Sequence, residues 1–255
     1  MKILLLGSEG RSTTILFNFL RSDFEICSVI FEDPVPLFTF LKYRFKKVGF
    51  IRFIDQLLFM VIGTKILNFI SKKRQNEIIN MEGLNLTPIP KRYIFKVNSV
   101  NSSESLKAIK KISPDIIIVS GSRILSRKLI SSISAPIINI HAGITPNYRG
   151  VHGAYWAVAN KQHELAGVTV HFVDPGVDTG SIIGQKRIAL TNRDSFSSYP
   201  LLQLSEGIHI LVDFLGKYSK GAFNSPTILG TGKSNQWFHP GLFEYIFKRM
   251  FNDVR

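Results

Sequence analysis

The 255-residue chain predicts an α/β fold: Rossmann-like, a mostly parallel sheet flanked by helices, with a helical insert and a short C-terminal appendage. Three observations carry that expectation. The chain opens on an apolar run at 2–6, a turn containing Gly7 and Gly10, and an apolar-periodic segment at 14–20, which is strand, turn and helix in the order that begins a nucleotide-type unit. Residues 115–119, Asp-Ile-Ile-Ile-Val, are β-branched and bounded by Ser-Pro and Ser-Gly-Ser, as in a strand covered on both faces. Residues 135–141 and 167–173 repeat the strand pattern, the second with clean alternation.

Length allows one sizeable core, so residues 1–217 are expected to form the main domain, with an insert over about 37–80, and residues 218–255 an appendage packed on it. A hydrophobic content of 45% excludes global disorder. The lone Cys27 has no internal partner and lies in an apolar strand pattern, which reads as a reduced structural thiol. The apolar run at the start is too short for a signal-peptide core and has no small-residue cleavage pattern after it, so a cytoplasmic protein is expected. The net charge of +14 suits an anionic partner, or equally a lysine-rich surface solvated on its own account.

Taken in order, the first turn could hold a phosphate on backbone N–H groups at the helix start, with Gly10 and Arg11 as contacts, or be a tight connection with no ligand. A second strand at 25–31 ends at Pro34 and Pro36. Residues 37–73 are basic and apolar together. Arg52, Asp55 and Lys65 interrupt residues 50–70, leaving no clean run of about 18 apolar residues, which argues against a spanning helix. Two readings of this insert remain. One is a helical hairpin packed on the sheet or on another subunit, which would make a homodimer. The other is a basic amphipathic surface resting on anionic lipid through Lys42, Arg44, Lys46 and Lys47. Packing is the commoner outcome for such helices.

Residues 103–112 read as an amphipathic helix with Ser103 as N-cap, and 151–159 as another. Residues 181–189 read as a strand, and 194–217 as a long helix interrupted by Pro200. In the tail, the Gly-Thr-Gly-Lys-Ser run ending at Ser234 lacks the upstream glycine and preceding strand of a phosphate loop. Trp237, Phe238 and Tyr245 read as aromatic anchors for a terminal helix, with base stacking as the alternative. His152, His163 and His171 form no ligand set at a recognised metal spacing, so no metal is expected, and His209 and His239 read as packing or surface residues.

The most informative stretch is 139–184. Strand alternation puts Asn139 and His141 on one face of a strand end, and a Pro-Gly turn after the 167–173 strand presents Asp178. Singly, each is more often structural: a turn cap, a satisfied buried imidazole, a turn carboxylate. Together they stand where open α/β sheets bind ligands.

Asn139-x-His141, the loop Pro146-x-Tyr148-Arg149-Gly150 and the turn Asp178-Thr179-Gly180 resemble the folate-dependent formyltransferases, over roughly residues 1–215 and nearest the nucleotide-sugar N-formyltransferase branch. One departure is visible: the family commonly reads His-x-Ser-Leu-Leu-Pro where this chain has His141-Ala-Gly-Ile-Thr-Pro146, in a loop that shapes the acceptor pocket. The resemblance implies Asn139, His141 and Asp178 as catalytic residues and N10-formyltetrahydrofolate as co-substrate. It implies a cofactor pocket of Ser122, Arg123, Ile124, Leu125, Val173 and Asp178, and acceptor contacts from Gly10, Arg11, Tyr148 and Arg149. Asn139 would donate to the developing oxyanion, His141 would take the amine proton or steady the oxyanion, and Asp178 would orient the imidazole. Arg149 could equally brace its loop.

The partner this implies is a small amine acceptor, a nucleotide-linked amino sugar for surface polysaccharide, and no nucleic acid. Exclusion leads there, because a methionyl-tRNA enzyme of this kind carries a further C-terminal barrel and a glycinamide-ribonucleotide enzyme lacks such an insert. Other small-amine formyl transfer, hydrolysis of the formyl donor, and a membrane-associated binding protein on the same fold are the alternatives.

Overall fold

The computed structural model describes residues 1–222, 232–252 and 254. Strand β1 (Lys2–Ser8) is buried from Ile3 to Leu6 and leads into α1 (Arg11–Leu20). β2 (Glu25–Glu32) follows, then the insert: α2 (Leu37–Val48), α3 (Phe50–Leu58), a π-helical turn, α4 (Thr64–Ile70) and α5 (Lys72–Met81). The chain returns through β3 (Ile94–Val97), α6 (Ser103–Ile112), β4 (Ile116–Ser120), α7 (Arg127–Ser131) and β5 (Ile137–His141). It continues with β6 (Arg149–Gly150), α8 (Gly153–Ala159), β7 (Gly167–Phe172), β8 (Ile182–Arg187), α9 (Tyr199–Ser219), β9 (Gln236–Trp237) and α10 (Leu242–Phe251).

Among the described residues the main sheet has seven strands in the order β3-β2-β1-β4-β5-β7-β8. The first five are parallel, β7 runs against them, and β8 pairs antiparallel with β7. The predicted Rossmann-like, mostly parallel sheet is therefore present. The antiparallel edge moves one detail: Asp178 does not leave a strand ending beside His141, and its loop folds back to reach the carboxyl edge of β5. β1 and β4 pack so closely that a Cβ on Gly7 would stand 2.1 Å from the Ser120 carbonyl oxygen, so the position demands glycine.

Apolar clusters cover both sheet faces. Ile3, Leu5 and Ile118 meet Phe17 of α1 and Leu211 and Phe214 of α9. On the other side Leu4, Leu6, Ile117 and Val119 meet Ile109 of α6 and Leu129 of α7. A third cluster is aromatic and joins distant segments: Phe59 of the insert packs on Phe196 and Tyr245 at 5.0 and 5.2 Å between ring centroids, and Trp237 stacks on Tyr148 and Trp156 at 5.5 and 4.8 Å. Tyr245 is thus an anchor, whereas Trp237 packs in this cluster and, with Phe238, also lines the cleft described below. Cys27 is half-buried, its thiol against the Ile3 carbonyl, and burial pushes its pKa up, which leaves it an unreactive thiol.

Four local expectations change. The N-cap of α6 is Ser102, whose hydroxyl accepts from the Ser105 N–H, one residue earlier than expected. Pro200 sits in the first turn of α9, where the missing N–H costs nothing, and does not interrupt it. The insert bends at Gly49 (φ 78°), after which residues Phe50–Ile70 form one continuous 21-residue rod whose most apolar 18-residue stretch has a mean hydropathy of 1.6, long and apolar enough to cross a membrane by length and composition alone. Arg52, Asp55 and Lys65 do not break it. Residues 229–231 of the tail glycine run lie outside the described residues.

α5 is tied to the chain before α9 by the Arg74 guanidinium, which donates to both oxygens of the buried Asp194 carboxylate at 2.8 and 3.2 Å. Those two hydrogen bonds hold Asp194 below the usual carboxylate range against its burial.

Candidate active site

A cleft of about 400 Å³ opens at the carboxyl edge of β4 and β5. Its floor carries Asn139 and His141 from β5, His171 from β7, and Asp178 from the loop after β7. β5–β7 pairing sets Asn139 directly opposite His171. That cross-strand pairing brings together four polar side chains distant in the chain.

Asp178 is the hub. Its Oδ2 lies 3.4 Å from His141 Nδ1 and accepts the Gly150 N–H at 2.9 Å, while Oδ1 accepts from Asn139 Nδ2 at 3.4 Å and lies 3.6 Å from His171 Nε2. The residue takes a left-handed backbone (φ 51°), tolerable for Asp, which turns its carboxylate back toward β5. Burial works to raise its pKa, but the facing His171 and His141 rings, whenever either carries a proton toward it, and the Gly150 N–H work the other way, so the carboxyl stays below its ordinary value.

The tautomers follow from the partners. His141 Nε2 faces the Tyr148 carbonyl at 2.7 Å, and a carbonyl only accepts, so that nitrogen carries the hydrogen and Nδ1 presents its lone pair beside Asp178. Burial holds the His141 pKa below the ordinary imidazole value despite the nearby carboxylate, so the ring is neutral at neutral pH. His171 Nδ1 donates to the Phe172 carbonyl at 2.7 Å, leaving Nε2 to accept from Asn139 at 3.3 Å. The two bonds made by the Asn139 amide are long, so an incoming oxygen can compete for its hydrogens. Gly143 makes room for this packing, because a Cβ there would meet Tyr148 O at 2.2 Å and His141 Nε2 at 2.7 Å.

One wall is the loop 121–125, where Ser122, Arg123, Ile124 and Leu125 line the cleft together with Val173. Its shape is held by the buried Glu32, which accepts the Val100 N–H at 3.2 Å, accepts the Arg123 N–H and pairs with the Arg123 guanidinium at 3.2 Å. Asn101 donates to Ile124 O at 3.0 Å and accepts the Ser126 N–H at 2.7 Å. Arg123 therefore braces the loop, also donating to the Asp33 carbonyl, and what this wall offers a flat ring is backbone and apolar surface. A second hollow of about 580 Å³, lined by Glu9, Asp33, Phe40, Lys96 and His239, meets the cleft at Gly121, Ser122 and Arg123.

The other expected contacts lie elsewhere. Tyr148 is buried, with its ring under Trp237 and its hydroxyl bonded to Gln162, so only its carbonyl serves the site. Arg149 donates to Val177 O at 2.9 Å and braces the Asp178 loop. Arg11 donates to Gln75 Oε1 of α5 at 2.9 Å and lines a separate depression with Thr14 and Lys72, which shares no residue with the cleft. Gly10 lines neither hollow. Sequence reasoning missed His171 and Glu32. Alternation along 167–173 marks His171 as inward-facing, but nothing local reveals that β7 pairs with β5. No group of His, Cys, Asp and Glu suited to a metal occurs among the described residues.

Comparison with known proteins adds the following. The formyl transferase family model matches residues 54–212. A methionyl-tRNA formyltransferase of Kosmotoga olearia is 33% identical over 129 residues, which is 50% of this chain and 41% of that protein. The chain thus spans well under two thirds of the length of such curated relatives. Among solved structures, phosphoribosylglycinamide formyltransferase of Anaplasma phagocytophilum superposes with a TM-score of 0.59 at 17% identity, covering 92% of this chain and 96% of that one. A sugar N-formyltransferase of a Shewanella species gives 0.55 at 16% identity, covering 92% and 76%. At those identities the likeness is one of fold.

Proposed function

Because the chain belongs to the formyl transferase family, we propose that it moves a formyl group from N10-formyltetrahydrofolate to the amine of a small acceptor, a nucleotide-linked amino sugar used for surface polysaccharide, in the cytoplasm. The observation that carries this is the convergence of Asn139, His141 and Asp178 on one cleft floor. The formyl donor supplies an activated carbonyl carbon. A flat pterin fits between the braced 121–125 loop and Val173, where the wall is apolar and its backbone is held by Glu32 and Asn101. The adjoining hollow gives an amine acceptor a place on the other side of that loop.

In this reading, the Asn139 N–H donors give up their long bonds to meet the formyl oxygen as negative charge develops there. His141 Nδ1, neutral and unprotonated, accepts the amine proton as the new C–N bond forms, and returns it to N10 as the bond between the formyl carbon and N10 breaks and tetrahydrofolate leaves. Asp178 then faces an imidazolium 3.4 Å away and steadies it, while the Gly150 N–H holds the carboxylate in place. His171 sets the Asn139 amide through its Nε2 acceptor.

The test is a panel of nucleotide amino sugars, glycinamide ribonucleotide and methionyl-tRNA, each incubated with formyl donor and read by mass for one added formyl group. Formylation of an amino sugar supports the reading. Formylation of methionyl-tRNA alone would overturn the acceptor, and release of free formate with no acceptor modified would make the protein a hydrolase.

A further inference from the structure

The rod from Phe50 to Ile70 turns the usual surface helix inside out. Its inner stripe, Gln56, Phe59, Gly63 and Leu67, is buried against the protein at the three-to-four-residue spacing of one helical face. Much of the rest of the rod faces outward and is apolar: Ile51, Ile54, Ile62, Ile66, Phe69 and Ile70 are exposed, Ile51 at 85% and Phe69 at 82%. A helix made for water puts polar residues there. α10 lies against α3 and repeats the inversion, burying Tyr245 while exposing Phe243, Ile246, Phe247 and Met250. Between the two helices runs an apolar groove of about 1070 Å³, lined by Val48, Ile51, Ile54, Leu58 and Phe243. So continuous an apolar face marks an interaction surface.

Charge selects the occupant. Residues 37–73 contain eight Lys and Arg against a single acid, Asp55, whose carboxylate is engaged by the Phe243 N–H at 2.9 Å, and α10 adds Lys248 and Arg249 against Glu244. Lys42 and Lys46 of α2 and Arg52 and Lys65 of the rod are exposed. A second copy docking by this same face would bring two basic rims together. An anionic lipid surface satisfies the apolar stripe and the basic rim together. The rod need not cross that surface, since Phe59 is held between Phe196 and Tyr245, and Gln56 donates to the His239 carbonyl at 2.7 Å. Its inner face belongs to the protein.

We infer that α2, α3, α4 and α10 form an in-plane docking face for an anionic membrane, with the apolar stripe at the boundary of headgroup and acyl chain and the lysines on lipid phosphates. The face leads toward the cleft: Arg44 and Val48 share a small hollow with Ile124, Gln236 and Phe238, and these last three also line the cleft. Docking therefore holds the cleft close to the lipid plane. It stands apart from the proposed formyl transfer, because vesicle binding requires neither donor nor acceptor.

The test is co-sedimentation of the full chain with vesicles of phosphatidylglycerol and phosphatidylcholine, or phosphatidylcholine alone, beside light scattering for oligomeric state. Binding to the anionic vesicles that weakens with salt is expected. The double variant Lys46→Gln/Lys65→Gln should lose about 25-fold in partitioning, at roughly five-fold per cation removed. Phe69→Ser/Phe247→Ser should also lose binding, with circular dichroism unchanged in both. Wild-type protein left in the supernatant with anionic vesicles, binding indifferent to both variants, or a dimer dissolved by Phe69→Ser/Phe247→Ser without vesicle binding would each overturn the inference.

Discussion

On the cleft floor an amide, two imidazoles and a carboxylate are packed away from bulk water, whereas on the outer face of the insert and α10 phenylalanines and isoleucines stand in it. The two regions break the ordinary distribution of polar and apolar groups in opposite senses. In the cleft the cost of burial is offset by mutual hydrogen bonds, and the groups that stay incompletely satisfied, the long Asn139 bonds and the His141 Nδ1 lone pair, are those a substrate could complete. On the insert face nothing among the described residues offsets the exposure. One region thus looks complete but for a ligand, and the other but for a surface.

If the regions are that distinct, each should change without the other. Replacing His141 with Ala is expected to lower turnover by about 10²- to 10⁴-fold, the range for removing a general base, and to leave vesicle binding as it was. Losing the partner of Tyr148 O should also cost about 1–3 kcal/mol of stability, read by denaturant titration. Turnover unchanged would remove His141 from the chemistry. On the other side, Phe59→Ala should empty a fully buried aromatic site between Phe196 and Tyr245 and cost about 3–5 kcal/mol. Denaturant unfolding checks the size. A loss under about 1 kcal/mol would mean that the insert is not held by this cluster.

The sheet was legible because its strands are runs of Ile, Leu and Val between turn residues, which few other structures can use. The gathering of Asn139, His141 and Asp178 was legible because alternation at 139–141 and a turn at 174–180 are local patterns. What local pattern cannot supply is which strand lies beside which, and so His171 escaped, although it faces Asn139 across a strand pair. Tyr148 and Arg149 sit in the motif loop and read as substrate contacts, yet a tyrosine with Trp237 available to stack on it turns inward. The insert read as ordinary packing because hydropathy shows that a helix is apolar without showing how many of its faces are covered.

A smaller effect joins the regions. His152 Nε2 and His239 Nδ1 share a hydrogen bond of 2.9 Å beneath Phe196, and burial with the nearby Arg44 depresses their pKa values to about 3 and about 4. An unfolded imidazole titrates near 6.5. The unfolded chain therefore binds more protons below that pH, so stability present above 6.5 falls as pH drops toward the folded values. At pH 5 the loss for the first of the pair is about 2 kcal/mol. Denaturant unfolding at pH 7.5 and 5.0 measures it, and equal stability at both would show the pair to be more accessible to protons than its burial implies.

The finest test concerns which form of His141 works. Neutral, it accepts the amine proton through Nδ1; protonated, it would instead support the oxyanion. Burial sets its pKa below the ordinary value, and the Asp178 carboxylate pulls the other way. If the neutral ring is the base, kcat/KM is flat near neutrality and falls about tenfold per pH unit on the acid side, below the folded pKa. Asp178→Asn removes the one charge that favours the imidazolium, so the acid limb should move to lower pH even as the plateau drops. A carboxylate that only braced the 174–180 loop would lower the plateau and leave the limb where it was, and a rate that rose on acidification would assign the chemistry to the imidazolium.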